Sequence, residues 1–447
     1  MPEREHWTSR IGFILAAVGS AVGLGNIWSF PFQTASNGGA AFVLVYLVAV
    51  VLIGFPTMLV EFVIGRRSES NPVDAFEKLG FGNWSFAGAF GVVVSFVTLS
   101  FYSIVGGWVL SYILGSVTGS YFGDAAGYFG SIASGTPAII GHAIFMGLTV
   151  GIVAFGVTDG IERATKVMVP GILILLVGLG VWAATLSGAA AGYDYYLTPD
   201  FAVLFSNLDS IIPYAVGQAF FTLSLGFSVM IAYSSYLDRD DSLPADSGAI
   251  VGVNTLIALL AGFVVFPILS TIGVSPESGG AGTAFTSLAG AFGQLTGGAI
   301  LGFVFFSILL FAGLSSSISL LEVPVSYVSE TYDYGRTRVA LGLGTAIFLF
   351  GLPATTGLAT FGWYNDVVFN LLIPVAVLLF VLFVGWVAAD QFTEEISLGT
   401  SLGDSFTITW LWWVRLVIPL AVGFTLVLGI QSLLLKAGII DAAILLG

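Results

Sequence analysis

The chain alternates between long apolar runs and short polar breaks. Eleven runs are long enough to cross a bilayer as helices, at roughly 11–35, 40–65, 86–115, 137–156, 165–187, 211–236, 248–272, 299–328, 338–356, 363–389 and 408–435, a span needing about 20 mostly apolar residues. The pattern predicts an all-α integral membrane protein of about eleven transmembrane helices, with residues 1–447 forming a single transmembrane domain. No removable leader is expected ahead of the first run.

Two runs are poorly built for an uninterrupted helix. The first contains AVGSAVGLGNIWSFPF, Ala17 to Phe32, which crowds small residues between Gly19 and Gly25 and follows them with Asn26 and Pro31. The sixth centres on FTLSLGF, Phe221 to Phe227. Gly19 and Gly23 alone would serve close helix packing, but packing explains neither Asn26 nor a second interruption. Runs 1 and 6 occupy matching places in two halves of five runs, which points to an inverted repeat with a binding site at its interface. Repeat one is expected at about 10–187, repeat two at about 211–389 and an extra helix at about 408–435.

Unwound backbone at membrane depth is tolerated only where it lines a cavity or is buried in protein. The carbonyl end of a half-helix suits a small cation, and its N–H end suits a carboxylate. Run 7 adds Asn254, and run 8 adds AGLSSSIS, Ala312 to Ser319. A single serine in such a helix ordinarily bonds back to its own backbone; three together beside a glycine fit a hard cation that prefers oxygen.

Composition narrows the class. The chain is 57% hydrophobic and 9% charged, with a mean hydropathy of +1.01. With a cytoplasmic N-terminus, ten of its twelve Lys and Arg lie inside: Arg4, Arg10, Arg66, Arg67, Lys78, Arg163, Lys166, Arg239, Arg336 and Arg338. The intervening loops 116–136, 188–210, 273–298 and 357–362 hold none. This positive-inside pattern places the C-terminus outside a cell membrane. The formal net charge of −14 would repel nucleic acid. Zero cysteines exclude disulfides and thiolate metal sites. His6 and His142 are too few and too far apart for a metal site or a Ser-His-Asp triad, and are read as surface or interfacial imidazoles. No nucleophile and base pair supports an enzyme.

The segments REHWTSRIGFILAAVGSAVGLGNIWSFPFQTASNGGAAF, GQAFFTLSLGF and FAGLSSSISLLEVP resemble the neurotransmitter:sodium symporter family, especially its prokaryotic amino-acid carriers with the leucine-transporter-like fold. The likeness runs from Arg4 to about run 10. It implies a sodium-coupled symporter that imports a neutral hydrophobic amino acid by alternating access, with helices 1 and 6 broken at mid-membrane.

The resemblance also assigns residues. One sodium site would use Ala21, Asn26, Thr222, Asn254 and the substrate carboxylate; a second would use Gly19, Val22, Ala312, Ser315 and Ser316. The substrate pocket would be lined by Ala21, Leu24, Gly25, Thr98, Tyr102, Phe221, Ser224, Phe227, Ser319 and Leu320. Gly23 stands where monoamine carriers of the family place an aspartate, which favours a substrate bringing its own carboxylate. The cytoplasmic gate would pair Arg4 with Glu330, braced by Trp7 and Tyr236. Proton coupling in place of sodium, and a non-transporting amino-acid sensor, are the alternatives.

Three positions stand apart. Ser29 replaces the family's usual outer arginine while its expected partner, Asp366, is present. The outer path is therefore expected to close on Tyr102 and Phe221, with Asp366 bonded through Ser29 or water. Ala258 offers neither charge nor hydroxyl beside Tyr46, Gln218 and Thr222, which leaves chloride dependence open. Glu61 and Glu322, the other acids within spans, are expected to satisfy broken-helix backbone, with proton transfer the alternative. If Asp366 has no role in an ionic gate, Asp366→Asn should leave transport nearly unchanged in an uptake assay; a large loss would restore the ionic gate.

Overall fold

The computed structural model describes residues 7–273, 281–400 and 402–440, without the side chains of 209–210 and 281–284. Arg4 and His6 lie outside the described residues. In lipid the backbone must satisfy its own hydrogen bonds, and the apolar runs do so as helices: α1 (Arg10–Ala21), α2 (Gly25–Ser36), α3 (Ala40–Ser68), α4 (Gly82–Thr118), α5 (Gly135–Val153), α6 (Val157–Ala183), α7 (Leu208–Thr222), α8 (Val229–Ser234), α9 (Leu243–Thr271), α10 (Gly298–Tyr332), α11 (Arg336–Thr356), α12 (Leu358–Val387), α13 (Ala389–Ser397) and α14 (Asp404–Lys436). The described residues contain no strand.

Nine of these are long and apolar enough to span a membrane, and α1 with α2 forms a tenth span bent by 50°. The sixth run is divided into α7 and α8, each too short to pass alone. Counting that pair restores the eleven runs and places interruptions in the two expected positions.

The centre is built on α4 and α10, 37 and 35 residues long, which pack against each other and against α5. Glycines permit the closest of these approaches. A Cβ at Gly107 of α4 would lie 2.5 Å from the carbonyl carbon of Gly141 in α5, so the two backbones touch. His142 follows at this crossing and is buried, contrary to its reading as a surface or interfacial residue. Its Nδ1 lies 2.8 Å from Ser103 Oγ and its Nε2 3.1 Å from the Phe348 carbonyl. Both ring nitrogens thus find protein partners, which lets a polar ring sit among apolar helices.

The face carrying most of the arginines is tied by ion pairs. Arg66 in α3 is fully buried. Its Nε reaches Glu395 Oε1 of α13 at 2.6 Å, Nη2 the Glu395 carbonyl at 2.6 Å, and Nη1 the Asp241 carbonyl. Arg10 reaches Asp246 of α9 at 2.6 Å. Removing Arg66 would leave Glu395 only its longer contact to Arg67 at 3.4 Å, and breaking a buried pair costs about 3–5 kcal/mol. Arg66→Ala should therefore sharply lower the melting temperature of the purified protein, and the double variant with Glu395→Ala should recover part of the loss.

Candidate functional site

The site is the set of backbone groups that the two breaks release. After α1 the chain turns extended at Val22 (φ −78°, ψ 93°). Asn26 Oδ1 accepts the Gly23 N–H at 3.2 Å, Tyr102 OH accepts the Leu24 N–H at 3.2 Å, and Gln218 Nε2 donates to the Gly25 carbonyl at 2.8 Å. The second break holds three left-handed residues within five positions: Ser224 (φ 53°), Gly226 (φ 84°) and Ser228 (φ 58°). Two of them are serines, for which this region is strained, so neighbours must hold the segment. Glu61 of α3 does so by accepting the Gly226 N–H at 2.7 Å, and Ser95 Oγ donates to the Phe227 carbonyl at 2.6 Å. Glu61 thus satisfies freed backbone, as expected.

Between the breaks, neutral oxygens converge. Asn254 Oδ1 of α9 lies 3.2 Å from the Ala21 carbonyl oxygen and 3.0 Å from that of Thr222. Asn26 Nδ2 donates to it at 2.8 Å, and Asn254 Nδ2 donates to Thr222 Oγ1 at 3.2 Å. Three acceptor oxygens facing one another repel. The repulsion is relieved when a cation sits among them, or when the Asn254 amide turns over and donates to both carbonyls. All four protein residues expected at the first sodium site are therefore in mutual contact, although the Asn26 oxygen faces Gly23. The second expected set is also assembled. Ser315 Oγ lies 3.3 Å from the Val22 carbonyl and 3.0 Å from that of Ala312, and a Cβ at Gly19 would lie 3.4 Å from Ser315 Cβ. Ser316 instead donates to the Ser20 carbonyl at 2.8 Å. Among the described residues no group of three or more His, Asp or Glu could hold a metal ion, so any cation here meets uncharged oxygen.

Of the expected pocket residues, Tyr102 contacts Leu24, Phe221 contacts Gly25, and Ser224 and Ser319 both contact Ser20 in the first break. Ser224, at 9% exposure, and Ser316, at 7%, stay slightly open at the membrane centre, as do Tyr102 and Leu320, while Leu24, Phe227, Thr98 and Ser319 are closed off. Thr98 and Ser319 spend their hydroxyls on the backbone of Val94 and Ser316. Phe221 is half-buried and packs on Gly25, where a Cβ would lie 2.8 Å from its ring. Gly23 is equally confined, because a Cβ there would collide with Ser316 and lie 2.9 Å from the Tyr102 hydroxyl.

On the arginine-bearing face, Trp7 Nε1 donates to the Tyr233 carbonyl at 3.0 Å, and its ring meets that of Tyr236 edge-on at 6.1 Å. The Tyr236 hydroxyl donates to Glu330 at 3.3 Å. Arg4, the expected cation, lies outside the described residues. Glu322 is buried in α10, paired with Arg336 at the start of α11 and 3.5 Å from the Tyr236 hydroxyl. On the opposite face the expected link from Asp366 to Ser29 does not form. Ser29 Oγ donates to Gln218 Oε1 at 3.0 Å, whereas Asp366 pairs with Lys436 at the end of α14. The ammonium is the stronger partner for a carboxylate and also lies 4.9 Å from the Trp363 ring centre. The Gln218 amide, expected beside Ala258, is already committed at both ends.

Sequence reasoning passed over several members. Ser20 accepts hydroxyls from Ser224 and Ser316 and donates to Ser319 at 2.7 Å; as a polar residue inside the first interruption it had a visible signal. Glu162, which accepts the Thr8 N–H at 3.0 Å and pairs with Lys166, had none.

Neutral oxygens converging where two spans are interrupted, in a protein of this many apolar helices, define a secondary transporter of the broken-helix type. The chain belongs to the sodium:neurotransmitter symporter family, which matches residues 4–123 and 137–437. It is 37% identical over 437 residues to YhdH of Bacillus subtilis, described as an uncharacterized sodium-dependent transporter, covering 93% of this chain and 95% of that one. It is 36% identical over 421 residues to the similarly described MJ1319 of Methanocaldococcus jannaschii, covering 88% and 84%. The crystal structure of MhsT in complex with L-phenylalanine superposes with a TM-score of 0.86 at 39% identity, covering 95% of this chain and 99% of that one.

Removing the carboxylate that holds the second break leaves a buried N–H unpaired, a loss of about 1–3 kcal/mol. Glu61→Ala should lower thermal stability by that amount and speed hydrogen exchange across residues 223–228, while Glu61→Gln, which keeps an acceptor, should cost less.

Proposed function

We propose that the chain imports a neutral hydrophobic amino acid together with sodium, by alternating access, across a cell membrane with its N-terminus inside and its C-terminus outside. The observation that carries this is the convergence of the Ala21 and Thr222 carbonyls on the side-chain amide of Asn254, with no acidic side chain among them. Uncharged ligands leave room for one negative group, and a substrate carboxylate supplies it. Ion and substrate then complete each other's site, which couples their binding without a conformational intermediary. Ala21, Asn26, Thr222 and Asn254 hold this first sodium ion; Gly19, Val22, Ala312, Ser315 and Ser316 hold a second.

The carboxylate meets Tyr102 and the N–H groups at Leu24 and Gly25, and the ammonium meets the carbonyls at Ala21 and Phe221 and the Ser224 hydroxyl. Leu24, Phe227 and Leu320 leave the side-chain end apolar. A charged side chain at this depth would cost at least roughly 2.5–3.5 kcal/mol, which supports a neutral substrate. Glycine at position 23 supports the same reading, since it supplies no carboxylate of its own and a Cβ there would crowd the Ser316 and Tyr102 hydroxyls. The phenylalanine bound by MhsT supports an amino acid.

Carrying one charge inward gains about 2.3 kcal/mol per 100 mV. A cycle moving two sodium ions with one zwitterion would draw roughly 4.6 kcal/mol from voltage, about a thousandfold accumulation. The bundle of α1, α2, α3, α7, α8 and α9 rocks against the remaining helices, and the Tyr236–Glu330 contact closes the inner path.

Proteoliposomes given an inward sodium gradient should accumulate labelled phenylalanine or leucine, and a pH gradient alone should not. Sodium-independent uptake would overturn the two-site assignment, and sodium-dependent binding without uptake would indicate a sensor.

A further inference from the structure

Among the described residues no ion pair crosses the outer path. Ser29 takes the place of a cation and is bonded to Gln218, on its own side of the path. Asp366 is turned away, toward Lys436 and Trp363. What does cross the path is a ring. Phe369 of α12 lies with its centroid 4.4 Å from that of Phe221, tilted by 58°, and Phe221 in turn presses on Gly25. Both rings are only half-buried.

The local backbone explains how Phe369 reaches that place. It sits in a π turn, Val368–Leu372, inside α12. Such a turn inserts an extra residue and rotates the side chains that follow, and it recurs at functional sites. The turn is braced from behind. A Cβ at Gly429 of α14 would lie 3.0 Å from the Asn370 Cα, so the two backbones touch there, and Lys436 grips Asp366 further along the same two helices.

We propose that Phe369 is a positioning residue that forms the second layer of the outer lid, holding Phe221 over the substrate in place of a cross-path ion pair. The Asp366–Lys436 pair acts only as a brace for α12. This rests on the transport reading above. The lid works by excluding water from the ion and carboxylate below it, which strengthens their attraction. Losing one aromatic partner should speed substrate escape about tenfold, the equivalent of roughly 1.4 kcal/mol.

The chain has no cysteine, so one introduced thiol reports without background. In whole cells carrying Leu320→Cys, a pocket position, an impermeant thiol reagent applied outside in sodium should label slowly. Adding Phe369→Ala should speed labelling about tenfold, and Phe369→Trp should restore the slow rate. In purified protein without the cysteine, Phe369→Ala should release bound labelled phenylalanine correspondingly faster, while its sodium-dependent equilibrium binding shows that it is folded. Asp366→Asn and Lys436→Gln should change both rates by no more than about twofold, as for an exposed pair. Unchanged labelling and release in Phe369→Ala would overturn the lid, and so would an equal loss in Asp366→Asn. Absent phenylalanine binding by the unsubstituted protein would refute the functional reading instead, and labelling in sodium alone would still decide the lid.

Discussion

Every part of this structure answers one constraint, that backbone released from a helix inside a bilayer has no water to turn to. The two interruptions release such groups at mid-depth, and the protein supplies a partner for nearly every one. Asn26, Tyr102 and Gln218 serve the first break; Glu61 and Ser95 serve the second. The carbonyls of Ala21 and Thr222 meet only the side-chain amide of Asn254, which can turn to serve them or leave them to a cation. Where satisfaction is incomplete, a ligand has somewhere to go. Fold and site are thus one problem, since the elements that keep the breaks intact also leave those oxygens available.

The surrounding scaffold follows from the same need for precision. Strained serines at 224 and 228 stay in the left-handed region only if their neighbours are fixed, and the backbone contact between Gly107 and Gly141 shows how tightly the central helices are set. Glu61 serves the second break, and the other buried acids described above are held in ion pairs. The buried Arg66–Glu395 pair and the Arg10–Asp246 pair fasten helix ends on one face, adding to the apolar packing between the same elements.

Local chemistry was legible in the sequence; distant pairing was not. Apolar run length announced the helices, and clustered glycines with Asn26 announced the first break, because both signals act within a turn or two. The second break was legible from FTLSLGF, although its two halves are individually too short to read as spans. By contrast, Asp366 finds Lys436 seventy residues along the chain, and no periodicity marks that meeting. Glu322 looked like a cap for broken backbone, and only folding brings Arg336 to it. His142 was read as interfacial because its two hydrogen-bond partners lie on other helices.

The last helix shows what such distant contacts imply. Only 17% of its apolar window is buried, and Leu416, Leu420, Phe424 and Val427 look outward to lipid. A helix so exposed takes its tilt from the thickness of the bilayer, at a fraction of a kcal/mol per ångström of mismatch. Through Gly429 and Lys436 a change of tilt would bear directly on α12. The acyl-chain length of the host membrane would then act on the helix that carries Asp366 and Phe369.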